Sequence, residues 1–375
     1  MSRIRQFTSS MLNEIFEQPN AVLQTALAFQ SAGFWGNSFE GAHKIASVLS
    51  GIKRILITAS GTSRHAGMVG SIMLESLIRI PVRLDYASEF QHSPVRMGPE
   101  TLVIVITQSG ETADTLASLR KAKAAGALVV AMSNVANSSI MREADAQVET
   151  KAGPELAIPS TKAFTAQMTA LYLFSLWMAE LAGGISRNRA EAKVAEVLMI
   201  PEKLNTVLEA DPTIFEISQK YVQMNDFLFA GRGIHYPIAM DGALKLKEVA
   251  YVHAEGFPLG EMKHGPLAMI DESVVSVILL TCDPTDPESV VRYEKSLTTT
   301  REIKERGGKI ISIACQGDSE AAEVADDTLF VPATSELLLP ILEIVPLQLL
   351  AHYIASLRGN DVDRPRSLVK SVISE

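Results

Sequence analysis

The sequence predicts an α/β protein made of two copies of one doubly wound unit. Its apolar segments are continuous runs, which are typical of strands buried on both faces of a parallel sheet. Helical patterns lie between the runs, and strands that alternate with helices predict a sheet covered by helices. The same series of segments then occurs a second time, which indicates an internal duplication.

The first series follows an N-terminal helix predicted over residues 10–30. Its strands are the runs Ile55–Ile57, Leu102–Ile106 and Leu128–Met132. A helix over residues 112–125 is rich in Ala, Leu, Lys and Arg, and Gly126 stands where a glycine commonly ends a helix. A longer helical stretch starts at Ala163.

The second series has the strands Phe227–Ala230, Val274–Leu280, Ile310–Ile313 and Leu329–Val331. In both series the first strand runs into a glycine turn, at Ser60-Gly61 in one and at Gly231-Arg232-Gly233 in the other. We expect the boundary between the copies near Pro201 to Pro212. The predicted organisation is a helical segment at 1–45, α/β domains at 46–205 and 206–360, and a tail at 361–375.

Composition excludes several classes of protein. The 375 residues carry 34 Lys and Arg against 43 Asp and Glu, a net charge of −9, which is unsuited to nucleic acid or an anionic membrane. Two cysteines do not make a disulfide framework. The longest apolar stretch, Met168 to Ala179, is shorter than the roughly 20 residues that span a bilayer, and residues 1–7 lack a signal peptide's apolar core. We therefore expect a cytoplasmic protein without a membrane or nucleic-acid partner.

The segment Thr107-Gln108-Ser109-Gly110-Glu111-Thr112 is the strongest local signal. It follows a buried strand and opens a helix, where unpaired N–H groups and the helix dipole attract an anion. Its hydroxyls and amide add neutral donors, and it lacks the lysine of a nucleotide-binding P-loop. The segment predicts a phosphate site, although an ordinary Ser/Thr helix cap has the same composition.

A second polar segment favours the phosphate site. Gly61-Thr62-Ser63 follows the preceding strand, and open α/β sheets bind ligands at the carboxyl ends of their strands. Ser160-Thr161, before a helix at Lys162, is either a third wall of the site or a cap. In the second series the matching place is Thr281-Cys282-Asp283-Pro284, where Asp283 would repel a phosphate. One phosphate site per chain is therefore the prediction.

The second series carries acid–base residues instead. Lys245 and Glu248 share a face of a helix over residues 241–250, which is either a surface ion pair or part of a site. The glycine- and proline-rich loop over residues 255–266 contains His264. A carboxylate and an imidazole near a phosphosugar suit ring opening and enolisation. The tail holds Lys370, a residue type that is normally solvated, and no Cys/His cluster predicts a metal.

Together the motifs resemble the isomerase half of glucosamine-6-phosphate synthase, which consists of two tandem sugar isomerase (SIS) domains. Each SIS domain is a parallel sheet between helices, a three-layer flavodoxin-like fold. The resemblance covers nearly the whole chain. Besides the segments above, it includes Glu17-Gln18-Pro19, Ala87-Ser88-Glu89-Phe90, Ala113-Asp114-Thr115-Leu116, Lys162-Ala163-Phe164-Thr165, His253-Ala254-Glu255, Lys263-His264-Gly265-Pro266 and Val345-Pro346-Leu347-Gln348.

The resemblance implies a role for each matching residue. Phosphate binding is implied for Ser63, Thr107, Gln108, Ser109 and Thr112, with Thr107 standing where the family often has Ser. Thr62 and Ser160 are expected to contact the sugar. Glu248 matches the base that moves a proton between C1 and C2, and Lys245 a supporting charge. His264 matches the ring-opening acid/base, which the family donates across a homodimer with shared active sites, and Lys370 the lysine that meets the keto carbon as a Schiff base.

The departures from the family pattern shape the expected activity. Asp241 replaces a family Glu and Pro159 precedes the Ser-Thr-Lys triplet, and either change could alter which sugar is accepted. Residue 2 is Ser where the synthase has its glutaminase Cys, and about 50 residues precede the first strand, too few for a glutaminase domain. We therefore expect a cofactor-free, metal-free deaminase that converts glucosamine 6-phosphate to fructose 6-phosphate and ammonia, the reaction that mass action favours.

Three alternatives stay open from the sequence. One is synthase-type amination of fructose 6-phosphate with ammonia, taken directly or from a separate glutaminase. Another is deamination of a different phosphosugar amine, such as galactosamine 6-phosphate or fructosamine 6-phosphate. The third is a non-catalytic sugar-phosphate sensor, which the joint presence of Glu248, His264 and Lys370 disfavours.

Overall fold

The computed structural model describes residues 9–30, 35 and 39–373. The chain forms two compact units. The N-terminal unit comprises the described residues within Asn20–Glu155, Lys162–Met199 and the tail at 369–373. The C-terminal unit comprises residues 9–19, Leu156–Thr161 and Ile200–Leu368. The predicted domain boundaries at residues 45, 205 and 360 stay predictions.

A five-stranded parallel sheet forms the centre of the N-terminal unit. Its strands are β1 (Arg54–Ala59), β2 (Val82–Tyr86), β3 (Thr101–Thr107), β4 (Leu128–Ser133) and β5 (Ala146–Glu149). Their order across the sheet is β2-β1-β3-β4-β5, the flavodoxin-like order. Every residue of the central strand β3 is buried, as its continuous apolar sequence predicts.

The C-terminal unit repeats this sheet. Its strands are β6 (Asp226–Gly231), β7 (His253–Pro258), β8 (Val274–Leu280), β9 (Lys309–Cys315) and β10 (Asp327–Val331). All pairs are parallel and the order is β10-β9-β8-β6-β7, so the strands follow the same succession as in the first sheet. The predicted fold class, a duplicated α/β/α unit, is confirmed.

The described residues form fourteen α-helices. In chain order these are α1 (Ser10–Phe16), α2 (Gln18–Gln30), α3 (Ala42–Val48), α4 (Gly61–Leu77), α5 (Ala87–Phe90), α6 (Ala113–Ala124), α7 (Ser139–Glu143), α8 (Lys162–Leu181), α9 (Arg187–Glu209), α10 (Asp211–Tyr221), α11 (Tyr236–Ala250), α12 (Pro287–Glu305), α13 (Ser319–Val324) and α14 (Leu339–Leu357). The helix predicted over residues 10–30 is thus two helices, and the one predicted over residues 112–125 is α6.

Each unit packs one helix closely against a long apolar helix of its own core. In the N-terminal unit α4 packs on α8, and a Cβ at Gly70 would lie 2.8 Å from Leu171 Cδ2. In the C-terminal unit α11 packs on α14, and a Cβ at Gly242 would lie 2.7 Å from Leu347 Cδ1. Both glycines allow a close helix approach that any larger residue would obstruct.

One stretch of the described chain, Glu336–Leu357, is long and apolar enough to cross a membrane. In the structure 89% of an 18-residue apolar segment within this stretch is buried, because α14 is the core helix of the C-terminal unit. Three strands of the structure were not predicted from the sequence. The strands β2 and β7 lie at sheet edges and are only partly buried, and β5 has four residues, so none has the continuous apolar run of a central strand. The segment predicted as a loop from Glu255 therefore begins as the edge strand β7.

Candidate active site

The loop over residues 107–112 connects β3 to α6 in the N-terminal unit. Neighbouring backbone holds it in place, because Asn134 N donates to Gln108 O at 3.2 Å and Ile140 N donates to Gly110 O at 3.1 Å. Gly110 has φ +73°, and a Cβ there would lie 2.0 Å from Ser138 Oγ. Only glycine satisfies both constraints, so this residue fixes the path of the loop.

The hydroxyls of this loop are joined in pairs. Thr107 Oγ1 lies 2.9 Å from Thr112 Oγ1, and Ser109 Oγ lies 2.9 Å from Ser371 Oγ. Ser109 Oγ also accepts a hydrogen bond of 3.2 Å from Glu111 N. The carboxylate of Glu111 accepts a hydrogen bond from Ser139 N at 2.8 Å. Hydrogen bonding from Ser139 lowers the pKa of Glu111. The only carboxylate of the loop is thus engaged at the start of α7.

The second predicted phosphate segment begins α4. Strand β1 is hydrogen-bonded to β3, so the turn at Gly61 and the loop at residues 107–112 follow neighbouring strands. Thr62 is buried and Ser63 is half-buried, with Gln167 Nε2 of α8 donating to Ser63 Oγ at 3.0 Å. The five predicted phosphate ligands therefore share one carboxyl edge of one sheet.

The C-terminal tail joins the same unit through three consecutive residues. Lys370 Nζ lies 2.6 Å from Glu155 Oε2, and the other oxygen of this buried carboxylate accepts from Ala163 N at 3.1 Å. Ser371 contacts Ser109 as described, and Val372 O accepts from Ala113 N at 3.0 Å. The tail thereby ties Lys370 to the start of α8 and to the phosphate loop.

The acid–base pair of the C-terminal unit lies on α11. Lys245 is fully buried, and its Nζ lies 2.6 Å from Glu248 Oε2. The Glu248 side chain is 21% exposed, so the carboxylate is held by a buried cation and still reaches the surface. Asp241 is also fully buried and lies one turn before Lys245 on the same helix face. This arrangement differs from an ordinary surface pair, in which both charges are solvated.

The remaining predicted site residues also belong to the C-terminal unit. His264 ends a 3₁₀ helix, Leu259–His264, and is exposed. Ser160 is half-buried, and it belongs to this unit together with Lys245 and Glu248. The structure thus gathers the predicted phosphate ligands and Lys370 into one unit, and the predicted acid–base residues into the other.

Sequence reasoning missed three partners of the predicted site residues. Glu155 holds Lys370, Gln167 holds Ser63 and Ser371 holds Ser109. Each partner lies more than 100 positions from the residue it contacts, so no local spacing could reveal the pair. Within residues 9–30, 35 and 39–373, no group of three or more His, Cys, Asp or Glu side chains could hold a metal ion.

Comparison with known proteins decides the family. The SIS domain profile matches residues 48–176 and 220–358, the two regions that contain the two sheets. The chain belongs to the SIS domain family. The resemblance drawn from the sequence motifs is confirmed, and both SIS regions are present.

Two relatives with similar sequences are named as aminotransferases. The chain is 42% identical over 369 residues to a glutamine–fructose-6-phosphate aminotransferase (isomerizing) of Chlorobaculum tepidum, and 42% identical over 371 residues to one of Thermus thermophilus. Each alignment covers 98% of this SIS protein and 59% of the relative, so the chain spans about three-fifths of these proteins.

Two of the solved structures that match are each covered over 99% of their chains. The C-terminal domain of a glucosamine-fructose-6-phosphate aminotransferase from Francisella tularensis superposes with a TM-score of 0.89 at 36% identity, covering 96% of this chain and 99% of that one. A glucosamine-6-phosphate deaminase from Thermotoga maritima gives a TM-score of 0.67 at 20% identity, covering 97% and 99%. The second likeness shows a shared fold alone.

Proposed function

We propose that this SIS protein is a phosphosugar aldose–ketose isomerase that acts on an amino sugar, converting glucosamine 6-phosphate to fructose 6-phosphate and ammonia. The observation that carries the proposal is the Lys245–Glu248 pair, a surface-reaching carboxylate fixed at 2.6 Å by a buried ammonium group. A carboxylate that is held in one orientation and reaches the surface suits the role of a general base. The 36% identical aminotransferase domain and the 42% identical aminotransferases support the choice of an amino sugar.

The N-terminal unit would bind the phosphate. Ser63, Thr107, Gln108, Ser109 and Thr112 offer hydroxyl and amide donors at the carboxyl edge of the sheet, and the N-terminus of α6 adds backbone N–H groups. Neutral donors suffice for a phosphate at such a helix N-terminus. Thr62 and Ser160 would contact the sugar.

The C-terminal unit would move the proton. Once the ring is open, Glu248 takes the proton from C2, and the electron pair of that C–H bond forms the C1–C2 double bond of an enolamine. The pair of the C1 carbonyl double bond moves to O1, which takes up a proton from solvent. The same carboxyl group then returns the proton to C1, which leaves a ketimine at C2. Water adds to C2, the C–N bond breaks with transfer of a proton to nitrogen, and ammonium leaves with fructose 6-phosphate as the product. Lys245 keeps Glu248 oriented between the two transfers.

Ring opening and the keto carbon have their own residues in this proposal. His264 would open the pyranose, and its exposure in the single chain is compatible with donation to a partner's site in a homodimer. Mixing His264→Ala and Glu248→Gln chains should then restore activity, whereas no restoration in verified heterodimers would contradict sharing. Lys370 must lose a proton before it attacks the keto carbon, and Glu155 is an acceptor 2.6 Å away.

The aminating direction is the second candidate, favoured by the names of the 42% identical relatives. It would use ammonia, free or from a separate glutaminase. The two cysteines of the chain, Cys282 and Cys315, are both partly buried, and burial raises the pKa of each thiol. Such thiols are poor nucleophiles, so we expect no hydrolysis of glutamine by this chain. A cytoplasmic location suits either direction.

The test is product formation from a panel of amino-sugar 6-phosphates. We expect ammonia and fructose 6-phosphate from glucosamine 6-phosphate, with no requirement for glutamine. A higher rate with galactosamine 6-phosphate or fructosamine 6-phosphate would reassign the substrate. Net glucosamine 6-phosphate formation at millimolar ammonia, without measurable release, would favour the aminating candidate. Binding of the panel without turnover would indicate a sensor.

A further inference from the structure

The carboxyl edge of the C-terminal sheet contains a cluster of charged side chains. It lies where β6 and β8 end, the place that corresponds to the phosphate loop after β1 and β3 in the other sheet. The cluster draws on the start of α11, the first turns of α12 and the short 3₁₀ helix Glu336–Leu338 before α14. None of its members takes part in the proposed reaction.

The carboxylate of Glu336 lies at the centre of this cluster. Arg292 binds it in a fork, with Nε 2.8 Å from Oε1 and Nη2 3.1 Å from Oε2. Ser289 Oγ donates to Oε2 at 2.6 Å, and His235 Nε2 lies 3.0 Å from Oε1. A guanidinium fork, a hydroxyl and an imidazole are the donors with which proteins bind a free carboxylate or phosphate.

The donors are themselves fixed from behind. His235 is fully buried, and its Nδ1 lies 2.6 Å from Glu343 Oε1 of α14. Arg292 Nη2 also donates to Thr281 O at 2.8 Å, at the end of β8. Burial alone would raise the pKa of Glu336, but the hydrogen bond from His235 and the charges of His235 and Arg292 hold it at about 2. The carboxylate is therefore bound in its charged form.

We propose that this edge is an anion-binding site whose ligand is supplied by the chain itself, the carboxylate of Glu336. Arg292, Ser289 and His235 are each positioned by contacts other than Glu336. Arg292 and His235 have the contacts given above, and Ser289 Oγ accepts from Asp283 N at 2.9 Å. Glu336 belongs to the segment that leads into α14, so occupation of the site fastens that segment to the sheet. An empty site would accept a small free carboxylate.

Chemical rescue tests the proposal. Glu336→Ala should lower the Tm by about 5–15 °C, because it leaves charged groups buried without their anion. Sodium formate or acetate should raise the Tm of this variant with a saturable dose dependence, relative to sodium chloride at equal ionic strength. The wild type and Glu305→Ala, which removes an exposed glutamate of α12, should show no saturable rise.

Two further variants test whether the rescue depends on Arg292 and on an empty site. Arg292→Gln combined with Glu336→Ala should abolish the rescue, because the fork that binds the carboxylate is gone. Glu336→Gln, the variant to use if the alanine variant does not fold, should be destabilised but insensitive to formate, since its amide still fills the site. A rescue that survives loss of Arg292, an equal response in Glu305→Ala, or an unchanged Tm in Glu336→Ala would overturn the proposal.

Discussion

The two sheets have the same strand order, but different kinds of side chain lie at their carboxyl edges. The edge of the N-terminal sheet carries Thr107, Ser109 and Thr112, whose hydroxyls are paired with other hydroxyls. The edge of the C-terminal sheet carries Arg292 and His235, which are engaged by carboxylates of their own unit. The first edge presents neutral hydroxyl donors, and its loop carboxylate, Glu111, is engaged at the start of α7. At the second edge the charged groups are paired with one another.

The difference shows how one duplicated fold divides its tasks. Each hydroxyl of such a pair can exchange its neutral partner for a ligand at little cost in free energy, so a phosphate dianion can replace the partner hydroxyl. An ion pair in a buried site gives up its partner only at a cost of several kcal/mol, so it excludes a free ligand. In the second copy the edge is thus a structural device, and the pair proposed to move the proton, Lys245 and Glu248, lies on α11 instead.

Replacing the proposed base gives the largest expected effect. Glu248→Gln keeps the shape of the side chain and an oxygen for Lys245 but removes the base, and loss of a general base costs about 10²–10⁴ in rate. The KM for glucosamine 6-phosphate should stay nearly unchanged, because the proposal assigns phosphate binding to the other unit. In D₂O the variant should place deuterium at C1 of fructose 6-phosphate correspondingly more slowly.

Glu305→Gln provides the matched control for this experiment. It makes the same chemical change at an exposed position of α12 and should leave rate and exchange unchanged. If Glu248→Gln exchanges deuterium at nearly the wild-type rate, Glu248 is not the base, and the comparison between a binding unit and a catalytic unit fails.

A pair of serine variants sharpens the comparison of the two edges. Ser109→Ala should raise the KM for the sugar phosphate by roughly 10- to 150-fold, since a hydrogen bond to a charged group contributes about 1.5–3 kcal/mol. Ser289→Ala removes an equivalent hydroxyl from the other edge, where Glu336 is already bound. It should lower the Tm by about 3–10 °C and leave the KM unchanged. Steady-state kinetics and thermal unfolding of both variants separate the effects, and a raised KM in Ser289→Ala would place a ligand at the second edge.

The smallest expected effect is the pH dependence of the charged edge. Burial would lower the pKa of His235, but the charge of Glu343 and the hydrogen bonds that His235 donates to Glu336 and Glu343 raise it above the usual 6.5, against the opposing charge of Arg292. A raised folded-state pKa contributes stability below pH 6.5 that is lost as pH rises through that pKa. The contribution of Glu336 is present above pH 4.5 and is lost as pH falls towards its folded pKa of about 2.

The difference in unfolding free energy between the wild type and His235→Gln isolates the histidine. It should shrink as pH rises above 6.5, by about 1.4 kcal/mol for each unit by which the pKa is raised. Burial lowers the pKa of His352 to about 4, so the stability that this residue contributes is lost as pH falls below 6.5. That loss is the same in both proteins and cancels from the difference. A difference that grows with pH would contradict the sign derived for His235.

The duplicated fold and the residues of the phosphate loop could be predicted from the amino-acid sequence. Continuous apolar runs such as Leu102–Ile106 are local signals, and the loop residues that follow the strand are adjacent in the chain. The edge strands β2 and β7 could not be predicted in this way, because a partly buried strand has no continuous apolar run. Lys245 and Glu248 were recognisable as a pair because one helix turn sets their spacing.

Which partner holds each of these residues depends on contacts between distant parts of the chain. Glu155 meets Lys370 across 215 positions, and Arg292 meets Glu336 across 44, distances at which no helical or strand periodicity operates. The sequence indicated that Asp283 excludes a phosphate from the second edge, but not that Glu336 already occupies it. Long-range contacts of this kind arise from packing of the whole unit, so only the folded chain shows which charge meets which partner.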